Sequence, residues 1–339
     1  MVTQRCRLRL GRPSLLIPLA ASAAIAITTV TTVPAAYAQR HATASRAQCN
    51  ASKEHQTMAH RLARAITAAI RSRFTSTDPA YNPFENISVA VSDESRELTC
   101  WYHSARQNFS ASAVKATILA ALLLMAQEQH RWLTSWEQNM ARLMITQSDN
   151  AAATALWNHV GLTRLQHFLN RAKMKQTKLN TWGAWGLTEI TAHDETLLLR
   201  LLMSPGVLKK RSRHYQLYLM NHVISSQAWG VRAGSPRYFS WHIKNGWAPL
   251  PDLSSSPWVV NSIGCFLHKR FGYTIVVLTH NNPAPGLSYG IATIEQIAWV
   301  INRALVPGAR SVWPKSSAAE LARLRPVPDE VLPRRPRGR

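Results

Sequence analysis

Apolar residues recur every four positions between Ser52 and Arg73, at Met58, Leu62, Ile66 and Ile70, the period of a helix with one buried face. Two short runs rich in β-branched and aromatic residues follow, Ile87–Val91 and Leu98–Tyr102, joined by the polar turn SDESRE, and they predict paired strands. The pattern then becomes helical for over a hundred residues, with helices predicted over 112–128, 134–145, 149–159, 162–172, 191–203 and 212–223. Strands return at Tyr238–Ile243, Trp258–Phe266 and Tyr273–Thr279. A last helix, Ile291–Leu305, carries the stripe Ile294, Ile297, Ile301 and Leu305. Helix, two strands, a helical block, three strands and a helix is not a βαβ alternation. It predicts a mixed α/β fold of the α+β type: a five-stranded antiparallel sheet flanked by the N- and C-terminal helices, with an all-helical subdomain inserted. The sheet part takes 48–111 and 236–307, and the helical part 112–235.

The two ends depart from this patterning. Residues 1–38 read as an export signal: Arg5, Arg7, Arg9 and Arg12, an apolar stretch from Leu15 to Val33, then Ala36-Tyr37-Ala38 as a small-x-small cleavage site. The folded domain is expected over 39–307 and the protein outside the cell. Residues 308–339 are rich in Pro, Arg and Ala without periodicity and read as a disordered tail.

A formal charge of +23 invites a nucleic-acid reading. No zinc knuckle, helix-turn-helix or aromatic RNA-binding strand accompanies it, so a basic face suited to an anionic cell envelope is expected instead. Cys6 leaves with the signal. Of the remaining Cys49, Cys100 and Cys265, an oxidising compartment favours one bridge, expected between Cys49 and Cys100, with Cys265 buried in a strand. The thirteen histidines show no metal-ligand spacing, so neither a metal nor a cofactor is expected. Gly286-Leu287-Ser288-Tyr289-Gly290 matches a nucleophile elbow, but NNPAP separates it from the preceding strand and no histidine follows His280.

The candidate chemistry begins at Phe109–Ala126, FSASAVKATILAALLLMA, where small polar residues pass into an apolar helix. Ser112 and Lys115, three apart, share a helix face, and a helix N-terminus offers free N–H groups: a nucleophile, a base and oxyanion donors. Ser148-Asp149-Asn150 lies between two predicted helices, where a serine can relay a proton, an aspartate brace the loop and an asparagine hold an amide. Lys244-Asn245-Gly246 ends a predicted strand, with positive charge and a glycine that lets backbone approach a substrate. Each stretch alone also fits an ordinary helix cap or strand end.

Together, and in this order, Ser112-Ala113-Val114-Lys115, Ser148-Asp149-Asn150 and Lys244-Asn245-Gly246 resemble the three signature motifs of the penicillin-interacting serine enzymes, nearest to class A β-lactamases. The resemblance covers about Gln48 to Pro307. Trp185-Gly186-Leu187-Thr188 followed by Thr191 resembles the segment leading out of the family's omega loop. The resemblance implies Ser112 as the acylated nucleophile, Lys115 as its proton acceptor, and Ser148 as relay to the leaving nitrogen with help from Lys244. It further implies Asn150 on the substrate's side-chain amide, with the N–H groups of Ser112 and Trp247 as the oxyanion hole. Three departures stand out. The omega-loop glutamate that activates the deacylating water is replaced in the matching register by Gln176, and no Asp or Glu occurs from Asn150 to Thr188. The hydroxyl residue of the third motif is Asn245, expected to contact substrate, with Lys269 or Arg270 able to compensate. The span from Ser112 to Ser148 is short, implying an open site mouth.

The expected function is a secreted, monomeric serine hydrolase that attacks a β-lactam or related amide through an acyl-serine and releases it slowly. Two alternatives stand beside it: a D-Ala-D-Ala carboxypeptidase or peptidase on cell-wall peptides, and a non-catalytic protein binding the envelope through its basic face and tail.

Overall fold

The computed structural model describes residues 46–73, 83–249, 258–269, 271–283 and 285–311. The expected export signal, Arg270 and the expected tail beyond residue 311 lie outside them.

Six strands form the central sheet: β1 Gln48–Asn50, β2 Ile87–Asp93, β3 Leu98–Tyr102, β6 Ser240–Pro249, β7 Trp258–His268 and β8 Phe271–Asn282. Their order is β1-β3-β2-β8-β7-β6, antiparallel throughout, so β6 is an edge strand. Both faces are covered, and the side-chain period of two divides each strand between two cores. On β2 and β8, Val89, Val91, Ile275 and Val277 face α1, Gln56–Arg71, and α7, Leu287–Leu305, while Ala90, Val276 and Leu278 face the helical block. This is why β7 and β8 read as near-continuous apolar runs rather than as alternating ones. Each fully buried Ile, Leu or Val contributes roughly 1.5–3 kcal/mol.

The sheet has one strand more than the five expected. β1 is three residues long, too short to show a period, and is held where Cys49 pairs with Cys100 in register and through a disulfide. Cys265 is free and buried, and burial pushes its thiol up to about 12. A second correction concerns β6. It runs on to Pro249, so Lys244, Asn245 and Gly246 lie in mid-strand rather than at its end.

The inserted block centres on α2, Lys115–Glu128, in which every residue from Lys115 to Ala126 is buried. The stretch Ala111–Glu128 is long and apolar enough to cross a membrane, yet 89% of it is buried within the fold, as befits a helix that is apolar all round. Around it pack α3, Ser135–Arg142, started by a reciprocal Thr134–Glu137 capping box, and α4, Asn150–Arg171, interrupted at Gly161 with φ 75°. α5, Ala192–Met203, and α6, Lys210–Asn221, complete the block. A two-stranded ribbon, β4 Asn108–Phe109 with β5 Glu189–Ile190, ties the approach to α2 to the approach to α5. The apparent nucleophile elbow is the start of α7. A Cβ on Gly286 would lie 2.0 Å from Trp258 Cδ1, so its glycine serves packing.

Candidate active site

The turn carrying Ser112 is held from three sides. Ala111 sits at φ 44°, a left-handed conformation unusual for alanine, and opens the tight turn Ala111–Val114 that leads into α2. Ser110 donates its backbone N–H to Thr188 O at 2.9 Å and its hydroxyl to Gly186 O at 3.3 Å. Asn261 of β7 donates its side-chain amide to Phe109 O (2.8 Å) and Ser110 O (3.1 Å). On the remaining side β6 passes so closely that a Cβ on Gly246 would stand 2.6 Å from Ala113 N and Ser110 O and 2.8 Å from Ser112 N. The glycine is therefore required for β6 to lie against the Ser112 amide.

Ser148 ends a π-helical turn, Leu143–Gln147, with its own backbone at φ 57°. Asp149 caps α4 by accepting from Ala152 N at 2.7 Å. Lys115 lies under this loop, fully buried. Its Nζ donates to Ser148 O (2.7 Å) and Asn150 Oδ1 (2.7 Å) and lies 3.2 Å from Ser148 Oγ. Lys244, also buried, donates to Ser148 Oγ at 2.9 Å and to Asn245 O at 2.8 Å. The Ser148 hydroxyl thus stands between two lysine amines, and the three chain segments meet at one point.

Burial controls the charge of those amines. Desolvation, reinforced by the charge of Lys244 and opposed by that of Asp149, holds Lys115 well below the ordinary 10.5. Desolvation brings Lys244 down to about 7. A neutral Lys115 has two N–H groups, enough for the two acceptor-only oxygens at 2.7 Å, and its lone pair remains for a hydroxyl proton. The arrangement can move a proton between a lysine amine and the Ser148 hydroxyl.

The model of the beta-lactamase enzyme family matches residues 133–305, just over half of the chain. The chain belongs to that family. A comparison with curated proteins finds no match. Among solved structures, the β-lactamase of Sphaerobacter thermophilus DSM 20745 is similar at TM-score 0.58 with 18% identity, covering 72% of this chain and 98% of that one. The TLA-1 extended-spectrum β-lactamase is similar at TM-score 0.60 with 14% identity, over 72% and 99% of the two chains. PBP-A is similar at TM-score 0.56 with 17% identity, over 70% and 96%. At these identities the likeness is one of fold. The family membership makes the protein a hydrolase of the serine β-lactamase type.

Against that family's pattern, one expected site residue stands elsewhere. Asn245 points to the opposite face of β6 from Lys244. Its amide donates to Gln227 O (2.8 Å) and Trp229 O (3.1 Å), and its carbonyl accepts from Ser262 Oγ (2.6 Å), leaving nothing of that side chain to meet a substrate. The backbone of Gln176 is anchored, its N–H donating to Asp194 Oδ2 (2.8 Å) and its carbonyl accepting from Gln107 Nε2 (3.0 Å), while its side-chain Oε1 is buried without a hydrogen-bond partner among the described residues. Facing Lys115 is Trp185, whose ring centroid lies 4.7 Å from Nζ. Trp247 follows Gly246 on the edge strand, its ring packed edge-on against Trp229 at 5.7 Å. Asn261 carried no sequence signal, because its role depends on being paired with Gly246 across β6 and β7. Among the described residues, no three His, Cys, Asp or Glu side chains gather in a way that could hold a metal ion.

Proposed function

We propose that this is an exported serine hydrolase whose Ser112 is acylated by a β-lactam or related amide and which releases the acyl group slowly. The observation that carries the reading is the Ser148 hydroxyl between Lys115 and Lys244, at 3.2 and 2.9 Å. Lys115, neutral, takes the Ser112 proton as Oγ bonds the carbonyl carbon. The oxyanion is met by the N–H groups of Ser112 and Trp247. As the C–N bond breaks, Ser148 gives its proton to the leaving nitrogen and is reprotonated from Lys115, which ends neutral. Lys244 favours the polarity of that relay, and Asn150 offers its amide group to the substrate side chain. Slow release is supported by the carboxylates nearest in chain being engaged elsewhere: Asp149 on Ala152 N, Asp194 on Gln176 N and Thr177 N, and Glu189 beside Lys178 at 3.4 Å. Export is supported by the pattern of residues 1–38 and agrees with the Cys49–Cys100 bridge.

Intact-mass measurement after incubation with benzylpenicillin tests the reading. The expected result is a stable adduct of one penicillin on Ser112, absent in Ser112→Ala. No adduct and no turnover would overturn it, and rapid turnover would overturn slow release. A site that acylates without a carboxylate base also suits a D-Ala-D-Ala carboxypeptidase, which release of D-Ala from a peptidoglycan fragment would reveal.

A further inference from the structure

We propose that Trp185 is the residue that makes the acyl-enzyme long-lived, by covering the side of Lys115 on which a hydrolytic water would have to stand; this rests on the acylation of Ser112 proposed above. The Lys115 amine is met by Ser148 O, Ser148 Oγ and Asn150 Oδ1, and the indole face of Trp185 lies over it at 4.7 Å. Trp185 is 1% exposed and among the largest fully buried side chains. Its Nε1 donates to Thr154 Oγ1 of α4 at 3.1 Å, which fixes the orientation of the ring. Its backbone is equally constrained. The hydroxyl of Ser110, two residues before the nucleophile, reaches Trp185 O and Gly186 O, and Ser110 N–H is bonded to Thr188 O. The ring is thus clamped against the nucleophile's turn at one end and α4 at the other.

A water able to cleave the ester needs a base within hydrogen-bond reach and two or more polar partners to hold it. Once the proton has passed through Ser148 to the leaving nitrogen, Lys115 is neutral again and is the base at hand. An indole face offers such a water no lone pair and no N–H, and the volume it fills is lost to solvent. Acylation uses the contact of Lys115 with Ser148 Oγ, 3.2 Å away, which the indole leaves in place. Trp185 therefore acts as a positioning and water-excluding residue, and it separates the two halves of the reaction.

The test uses a fluorescent penicillin: label the protein, remove free compound, and follow loss of label and of adduct mass. The expected results are a shortening of the adduct half-life by about tenfold or more in Trp185→Ala, from admitting a water to a positioned base, and a near-wild-type half-life in Trp185→Phe. Acylation should proceed in both. Should Trp185→Ala fail to fold, Thr154→Val, a change at an exposed position that frees the indole N–H, carries the test, with a shortened half-life again expected. Folded variants that acylate and keep the wild-type half-life would overturn the inference while leaving the proposed function standing. A wild-type adduct lost within seconds would overturn it too. A wild-type protein that is never acylated would overturn both.

Discussion

Glu195 on α5 is fully buried, and neither carboxyl oxygen has a hydrogen-bond partner among the described residues. Its neighbour Asp194 is equally buried but accepts from Gln176 N, Thr177 N, Thr177 Oγ1 and His193 Nδ1. Burial first, and the Asp194 charge second, push the Glu195 carboxyl up to about 8. A folded value above the unfolded 4.5 means that the native state holds a proton which the unfolded chain has lost between those two pH values. Stability from this residue is complete below about pH 4.5 and falls as pH rises towards 8, by roughly 5 kcal/mol at most, since each unit is about 1.4 kcal/mol. Glu195→Gln keeps the shape and removes the titration. Urea unfolding of both proteins at steps from pH 4 to pH 9 gives the difference in unfolding free energy, in which all other titrating groups cancel. The variant should be equal or about 1 kcal/mol weaker at pH 4.5, because an extra N–H goes unsatisfied, and stronger by several kcal/mol at pH 9. A pH-independent difference would refute the assignment of a buried, protonated carboxyl at this position.

Gly246→Ala forces β6 away from the Ser112 turn by the clash with Ser110 O and Ala113 N, and should slow acylation by about 10²-fold; an unchanged labelling rate would count against the close approach. Acylation should rise with pH as Lys115 loses its proton, at a pH well below 10.5. Because the Lys244 charge helps to depress Lys115, Lys244→Met should move that limb to higher pH and cut the rate by about tenfold or more, and an unmoved limb would remove the coupling. Glu137, buried, is met by both Arg131 amines (2.7 and 2.8 Å), Thr134 N (2.7 Å) and His159 (3.0 Å), which outweigh its desolvation and hold it down to about 2. Glu137→Gln should destabilise by about 2–3 kcal/mol at pH 7. That deficit should shrink as pH falls from 4.5 towards 2, which chemical unfolding would follow.

How much of this was legible in the sequence depended on whether the signal was local. α2 announced itself because a helix apolar on every side has one place to go, and β7 and β8 because buried strands read as apolar runs. β6 was cut short at Ile243 because Lys244, Asn245 and Gly246 break the apolar pattern, which is what a strand does where it lines a site. The three motifs were readable as chemistry, since each is a short contiguous string, and Lys115, Ser148, Asn150 and Lys244 end within hydrogen-bond reach of one another. Asn245 failed because its role was assigned by register alone, whereas its orientation is set by partners remote in sequence, Gln227, Trp229 and Ser262.

Lys115 projects from the buried helix α2, Ser112 from the turn that leads into it, Ser148 from the loop before α4 and Lys244 from a strand held against β7, so altering any of them disturbs the core or leaves a buried polar group without its partner. The segment from Met174 to Ile190 crosses the site as a chain with little regular structure, anchored at Asp194, at Ser110 and through Trp185. Trp185, the side chain this segment turns towards Lys115, is itself fully buried and bonded to Thr154, so replacing it would cost packing as well as change what faces the amine. A carboxylate in that place would supply a hydrolytic base, where the indole offers none.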